Sequence, residues 1–192
     1  HQILRNIALQ VANHFSIIGE CNIQFAINPK NGDYRVIEMN ARLSRSSALA
    51  SKATGSPLAF IATKLALGYH LCEIKNSVTQ VTSAYFEPAL DYIVVKIPRW
   101  DTHKLKAAER TIGTEMKSVG EVMAIGRSFP EALQKAVGML NKGASCLMDY
   151  PEVIDNPRNE IQFATDRRLF ALYQFFKNGG TVVQAQNLSQ IN

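Results

Sequence analysis

Glu38 and Asn40 stand two residues apart in the run Val36-Ile-Glu-Met-Asn40, and Arg42 and Arg45 follow three apart in the stretch that leads to Gly55. Alternation along a strand sends Glu38 and Asn40 to one face while Ile37 and Met39 point the other way. Cys21 to Ile27 alternates similarly, with Asn22 and Gln24 on one side and Ile23, Phe25 and Ile27 on the other. Between these runs, Asn28-Pro-Lys-Asn-Gly-Asp33 contains an Asn-Gly pair, a strong turn signal, so a hairpin can bring Gln24 alongside Glu38 and Asn40. Three oxygen donors, one of them charged, suit a hard cation such as Mg²⁺ that keeps much of its coordination for waters and substrate phosphates. The planar guanidinium groups of Arg42 and Arg45, just beyond the strand end, suit phosphate, carboxylate or bicarbonate oxygens. Together these residues describe half of a phosphoryl-transfer site. The competing reading of the same spacing is a surface ion-pair network.

The elements that must position them follow from periodicity. Residues 2 to 17 carry Ile3, Leu4, Ile7, Val11, Ala12 and Phe15 at helical spacing, which predicts an amphipathic helix packed on the hairpin. Ser46 to Thr54 is rich in Ala and Ser. Gly55 fits the end of that helix, Ser56 the cap of a second, and Pro57 its first turn, with Leu58, Ile61 and Leu65 on one face. Asp91 to Pro98 and Glu121 to Gly126 read as strands that would extend the sheet bearing the site, joined by a polar surface stretch from Asp101 to Ser118. Ser128-Phe-Pro-Glu131 reads as a capping box, starting a helix whose buried stripe is Leu133, Val137 and Leu140. Lys117 and Glu121 are expected to form structural ion pairs. A composition shift over residues 141 to 157 places a domain boundary there. Beyond it, Asp166 is expected to cap a helix carrying Leu169, Phe170, Leu172, Tyr173 and Phe176, closed by Gly179-Gly180, and Asn192 to fall inside a further helix. The pattern is that of an α/β (α+β) protein.

Composition excludes several classes. The net charge is +5 over 192 residues, but Lys and Arg are scattered without a basic run or interleaved aromatics, which argues against nucleic acid. Arg5, Asn6 and Gln10 interrupt the apolar N-terminal pattern, so neither a signal peptide nor a membrane span is expected. The chain starts without Met, directly in a helical pattern, which suggests an excised fragment. Cys21, Cys72 and Cys146 are far apart and form no CxxC, as expected of thiols in a reducing compartment. His1, His14, His70 and His103 share no metal or triad spacing, and Ser44, Ser46 and Ser47 form no nucleophile elbow.

The run IEMNARLSRSSALASKATG, with NIQFAINPKNG before it and MKSVGEVMAIGRSFPEALQKA after it, resembles the large chain of carbamoyl-phosphate synthase from about residue 2 to residue 150. That large chain is an internal duplication of ATP-grasp units, and Met39 with the Ser46-Ser47-Ala48-Leu49 run is similar to the first, carboxyphosphate-forming unit. The resemblance implies the C-terminal part of an ATP-grasp fold over residues 1–141, with a mostly antiparallel sheet flanked by helices. Residues 142–192 would be a linker and the start of an all-α oligomerisation domain. It further implies that Gln24, Glu38 and Asn40 hold the two divalent ions, Mg²⁺ or Mn²⁺, that bridge the ATP phosphates, with Gln24 and Glu38 also counted as ATP-binding. Arg42 and Arg45 would be the catalytic residues that bind and polarise bicarbonate and carboxyphosphate, and K⁺ would belong to the complete enzyme. Implied partners are ATP, bicarbonate, the rest of the large chain, a glutamine amidotransferase subunit or domain, and a second copy, with no nucleic acid or membrane. The implied compartment is the cytoplasm, or the mitochondrial matrix for an ammonia-dependent form. Ala48 and Ala53 resemble positions on the wall of an internal passage. One departure is Ala41, where bacterial members have Pro and fused or mitochondrial forms have Ala. A biotin-carboxylase-like ligase shares the EMN-R core but continues differently from Leu43-Ser-Arg-Ser46. The third expectation is an inert structural module, because no glycine-rich phosphate loop or adenine-binding lobe is visible in these residues.

Overall fold

The computed structural model describes residues 1–105 and 107–191, leaving aside the side chain of His103. Two compact units divide the chain, His1–Leu90 and Asp91–Asn192. The composition break at 141–157 does not coincide with this division, because α-helical residues on both sides of it share one core in the second unit, as described below.

In the first unit, helix α1 (Gln2–His14) ends three residues before the sequence pattern does and buries none of its residues. Ile3 is 68% and Phe15 62% exposed, and among the described residues α1 makes no substantial contact with the hairpin, contrary to the expected packing. Leu4, Ile7, Val11 and Ala12 are half-buried, and an exposed ion pair joins Arg5 to Glu87. Strands β1 (Asn22–Ile27) and β2 (Tyr34–Asn40) form an antiparallel hairpin. Asn28 closes it with its own side chain, Oδ1 accepting from Lys30 N–H at 3.0 Å, while Asn28 N–H donates to Asp33 O at 2.7 Å.

Helix α2 (Arg45–Thr54) starts at Ser44, which exchanges cap hydrogen bonds with Ser47, and stops at Gly55, whose left-handed backbone (φ +67°) suits a residue without Cβ. Helix α3 (Leu58–Ala66) begins one residue later than the capping pattern predicts, with Pro57 and not Ser56 at the cap. The reason is a competing acceptor: Ser51 Oγ in α2 takes the Leu58 N–H at 3.2 Å and ties the two helices together. Asn76, buried, donates to Gly55 O at 2.9 Å and fastens the following segment to the same corner.

In the second unit, β3 (Ile93–Arg99) and β4 (Gly120–Gly126) pair antiparallel in unbroken register. They form a separate two-stranded sheet and do not extend the first hairpin as the sequence suggested; among the described residues no strand joins the two pairs. Helix α4 (Phe129–Met139) packs on this sheet. A Cβ at Gly126 would lie 2.8 Å from Ala132 N, so the close approach of strand and helix demands glycine. The buried stripe of α4 is Ala132, Ala136, Val137 and Leu140, with Leu133 only partly covered. Ser128 accepts from Glu131 N–H as expected, whereas the Glu131 carboxylate reaches Arg127 N–H at 2.8 Å, one residue before the cap.

Helices α5 (Pro157–Gln162), α6 (Arg168–Lys177) and α7 (Val182–Ser189) complete the unit. Val137, Leu140, Ile154, Ile161, Phe170 and Phe175 make one core, with Tyr150 stacked on Phe170 at 3.7 Å between ring centroids. Helix α7 stops at Ser189, so the expected helix does not run to Asn192, which lies outside the described residues. Arg168 joins two helix ends, donating to Ile161 O at 2.9 Å and Ser189 O at 2.7 Å, where carbonyls lack intrahelical partners.

Asp166 does not cap α6; Arg167 occupies that position, and its side chain makes no capping bond. The Asp166 carboxylate is instead held by Arg110 Nε at 2.8 Å and Nη2 at 2.9 Å and by Thr102 Oγ1 at 2.7 Å. A bidentate guanidinium outcompetes a backbone N–H for a carboxylate. That pair, with Ile112 N–H donating to Ala164 O at 2.7 Å, pins the charged 101–118 stretch to the helices. Lys117 lies within ion-pair range of Glu109 and Glu115, and Glu121 pairs with Lys96 at 2.7 Å, both structural roles.

Candidate functional site

The hairpin register sets Gln24 directly opposite Glu38 and Asn22 opposite Asn40. Directly opposed residues share a face and i, i+2 residues repeat it, so Asn22, Gln24, Glu38 and Asn40 form one polar quartet. A bulge after Gln24 shifts the pairing so that Phe25 meets Val36, confining this face to the end of the hairpin nearest the arginines. Asn40 Nδ2 donates to Glu38 Oε1 at 3.0 Å, which orients the amide and leaves its oxygen for another partner. Gln24 and Glu38 are exposed, Asn22 and Asn40 half-buried.

Neither arginine neutralises Glu38. Arg42 donates to the neighbouring Leu43 O at 3.4 Å, and Arg45 is the first residue of α2. Among the described residues neither arginine has a carboxylate partner, and Glu38 has no cationic one, so the ion-pair-network reading of this spacing does not hold. The first turn of α2 carries no acidic residue, leaving Arg45 beside the positive end of the helix, a favourable setting for an anion. One carboxylate with two or three amide oxygens fits a hard divalent ion that retains waters. Among the described residues no cluster of three or more His, Cys, Asp or Glu side chains forms a metal site.

Two neighbours escaped the sequence reading. Asn22 was placed on the correct face without being counted as a donor, although its i, i+2 relation to Gln24 carried the signal. Glu20 precedes β1, and its Oε1 accepts from Ser47 Oγ at 2.6 Å. Nothing in the linear spacing of Glu20 and Ser47 announces that contact. Ala53 is buried in the first unit and Ala48 is exposed on α2. Cys21, Cys72 and Cys146 are free thiols; burial, and secondarily the Glu20 charge, push the Cys21 thiol above its ordinary value.

Comparison with known proteins gives two matches that together span most of the chain. Residues 1–74 match the carbamoyl-phosphate synthase L chain, ATP binding domain, and residues 121–192 the carbamoyl-phosphate synthetase large chain, oligomerisation domain. The whole chain aligns at 53% identity with the carbamoyl phosphate synthase large chain, N-terminal section, of Methanopyrus kandleri, covering 34% of that protein. It aligns over its full length at 50% identity with the large chain of Methanobrevibacter smithii, covering 18% of it. The mitochondrial arginine-specific large chain of Schizosaccharomyces pombe is 49% identical, with 16% of its length covered. The chain thus spans about a third or less of the length of these relatives. Two domain matches in the order of one large chain, and near-half identity throughout, place the sequence: it belongs to the carbamoyl-phosphate synthase large-chain family.

Proposed function

We propose that this segment supplies the metal-binding and anion-binding half of a carboxyphosphate-forming ATP-grasp site in a carbamoyl-phosphate synthase large chain. The observation that carries the reading is the pairing of Gln24 with Glu38 beside two arginines that leave that carboxylate unneutralised. Gln24, Glu38 and Asn40 would hold Mg²⁺ or Mn²⁺ against the ATP phosphates. Bound there, the ions would neutralise charge on the transferring phosphoryl group. Arg42 and Arg45 would hold bicarbonate by its oxygens so that one oxygen attacks the γ-phosphorus as ADP departs. The same guanidinium groups would then steady carboxyphosphate while ammonia attacks its carbonyl carbon and phosphate leaves, giving carbamate. Such chemistry is positioning and charge neutralisation, which accounts for a site without an activated nucleophile.

The assembly around it is part of the same proposal: ATP bound with the rest of the large chain, a glutamine amidotransferase partner, a second copy, and K⁺ in the complete enzyme. A cytoplasmic or mitochondrial-matrix location accords with this chemistry. Among the described residues no helix is long and apolar enough to cross a membrane. By itself the 192-residue chain should show no bicarbonate-stimulated phosphate release. In a complete large chain carrying this segment, Arg42→Ala should lower bicarbonate-dependent ATP hydrolysis on the order of a hundredfold, as removal of other charge-stabilising groups does. Retention of that hydrolysis within about twofold would overturn the assignment of Arg42.

A further inference from the structure

We infer that Glu20 is a positioning residue for the arginine-bearing helix end, acting on Arg45 through Ser47; this rests on the bicarbonate reading of Arg42 and Arg45 above. Ser47 is only 4% exposed. Its hydroxyl accepts from Ser44 N–H at 2.9 Å and donates to Glu20 Oε1 at 2.6 Å. Ser47 N–H in turn meets Ser44 Oγ at 3.3 Å. The single hydroxyl proton of Ser47 is therefore committed to the carboxylate, and its lone pairs are left for the cap of α2. Arg45 sits between the two serines of this cap, and Gln24 lies four residues after Glu20. One charge-assisted bond thus fixes where the arginine-bearing helix starts relative to the strand that carries Gln24. A cap made of Ser44 and Ser47 alone would set only the local turn.

The second oxygen marks this carboxylate as something other than packing. Glu20 Oε2 is buried and without a hydrogen-bond partner among the described residues. Glu20 is one of the residues that border an open pocket of about 300 Å³, together with Cys21, Leu58, Ile61 and Leu65. A half-buried carboxylate with one shielded oxygen left unsatisfied is the kind of local conflict that proteins keep where function requires it.

The test uses a complete large chain carrying this segment, assayed for bicarbonate-dependent ATP hydrolysis. Glu20→Leu should raise KM for bicarbonate about tenfold while KM for ATP stays within about twofold, because displacement of a binding group by a fraction of an ångström acts on the anion it holds. Glu20→Gln, which keeps an oxygen for Ser47, should restore KM for bicarbonate to within about threefold of the parent. Ser47→Ala should match Glu20→Leu, and the double variant should lose no more than either alone. A purely structural role would reduce the active fraction and both substrates alike. Unchanged KM for bicarbonate in Glu20→Leu, equal effects on both KM values, or multiplying losses in the double variant would each overturn the inference. Arg45→Ala run in parallel separates the two ideas: if it leaves bicarbonate kinetics untouched, the bicarbonate reading fails; if it weakens bicarbonate and Glu20→Leu does not, only the positioning role fails.

Discussion

The two units of this chain are built on opposite principles. The unit that carries the polar quartet buries few apolar side chains, Ala53, Ile61 and Ile74, and leaves Ile3, Ile18 and Ile37 at 68%, 80% and 59% exposed. The other encloses Val137, Leu140, Ile154, Ile161, Phe170 and Phe175 in a continuous core. Shape in the first unit comes from hydrogen bonds at turns and caps, such as Asn28 in the hairpin, Ser44 with Ser47, and Asn76 on Gly55. In the second it comes from burial and the Asp166–Arg110 clamp. The contrast teaches that side chains can be changed on the site face without disturbing a core, and that much apolar surface of the first unit is available for other protein to cover.

That comparison breaks most readily in the second core. Phe170→Ala should destabilise the second unit by about 3–5 kcal/mol through lost burial and a cavity beneath Tyr150, read as a lower urea midpoint. A loss below about 1 kcal/mol would mean that the core is not what holds the unit. Asp166→Asn should cost about 3 kcal/mol, since it strips one partner from a largely buried pair and leaves Arg110 uncompensated.

The same pair predicts an acid limb. Burial pushes the Asp166 carboxyl up, but hydrogen bonds from Arg110 and Thr102 hold it below the ordinary carboxylate range. A folded-state value below the unfolded one stabilises above the unfolded value, about 3.9, and that stabilisation is lost as pH falls through the folded one. The wild-type urea midpoint should therefore drop through that acid range, and Asp166→Asn should flatten part of the drop. Parallel acid limbs in both proteins would remove this pair from the account. The smallest effect belongs to the first unit: Ile37→Ser, on the exposed apolar side of the hairpin, should change the stability of the isolated chain by no more than about 0.5 kcal/mol.

What was legible in the sequence follows the range over which each signal acts. The hairpin and the Gln24–Glu38 pairing were readable because period-two alternation and an Asn-Gly turn are local. So was the end of α2, where Gly55 acts within its own turn, whereas its start at Ser44 lies ahead of the Ala- and Ser-rich run that marks the helix. Asp166 was misread as a helix cap because its true partner, Arg110, lies 56 residues away in a stretch that looked like surface loop. The two strand pairs were merged into one sheet because alternation specifies a face and not a neighbour. Helix α1 was expected on the hairpin because an amphipathic pattern demands a partner without naming it. Glu20 went unnoticed because its bond to Ser47 spans 27 residues. The arginines were the reverse case: their spacing was compatible with ion pairing, yet among the described residues Glu38 has no cationic partner.

The central claim is that Glu38 serves the bicarbonate step and not the fold, and one substitution tests it most directly. Glu38→Ala in a complete large chain should reduce bicarbonate-dependent ATP hydrolysis on the order of a hundredfold. ATP synthesis from carbamoyl phosphate and ADP, which would run backwards through the other ATP-grasp unit, should remain within about twofold of the parent. Retained hydrolysis with loss of the reverse reaction would contradict the account and move this segment to the other half of the enzyme.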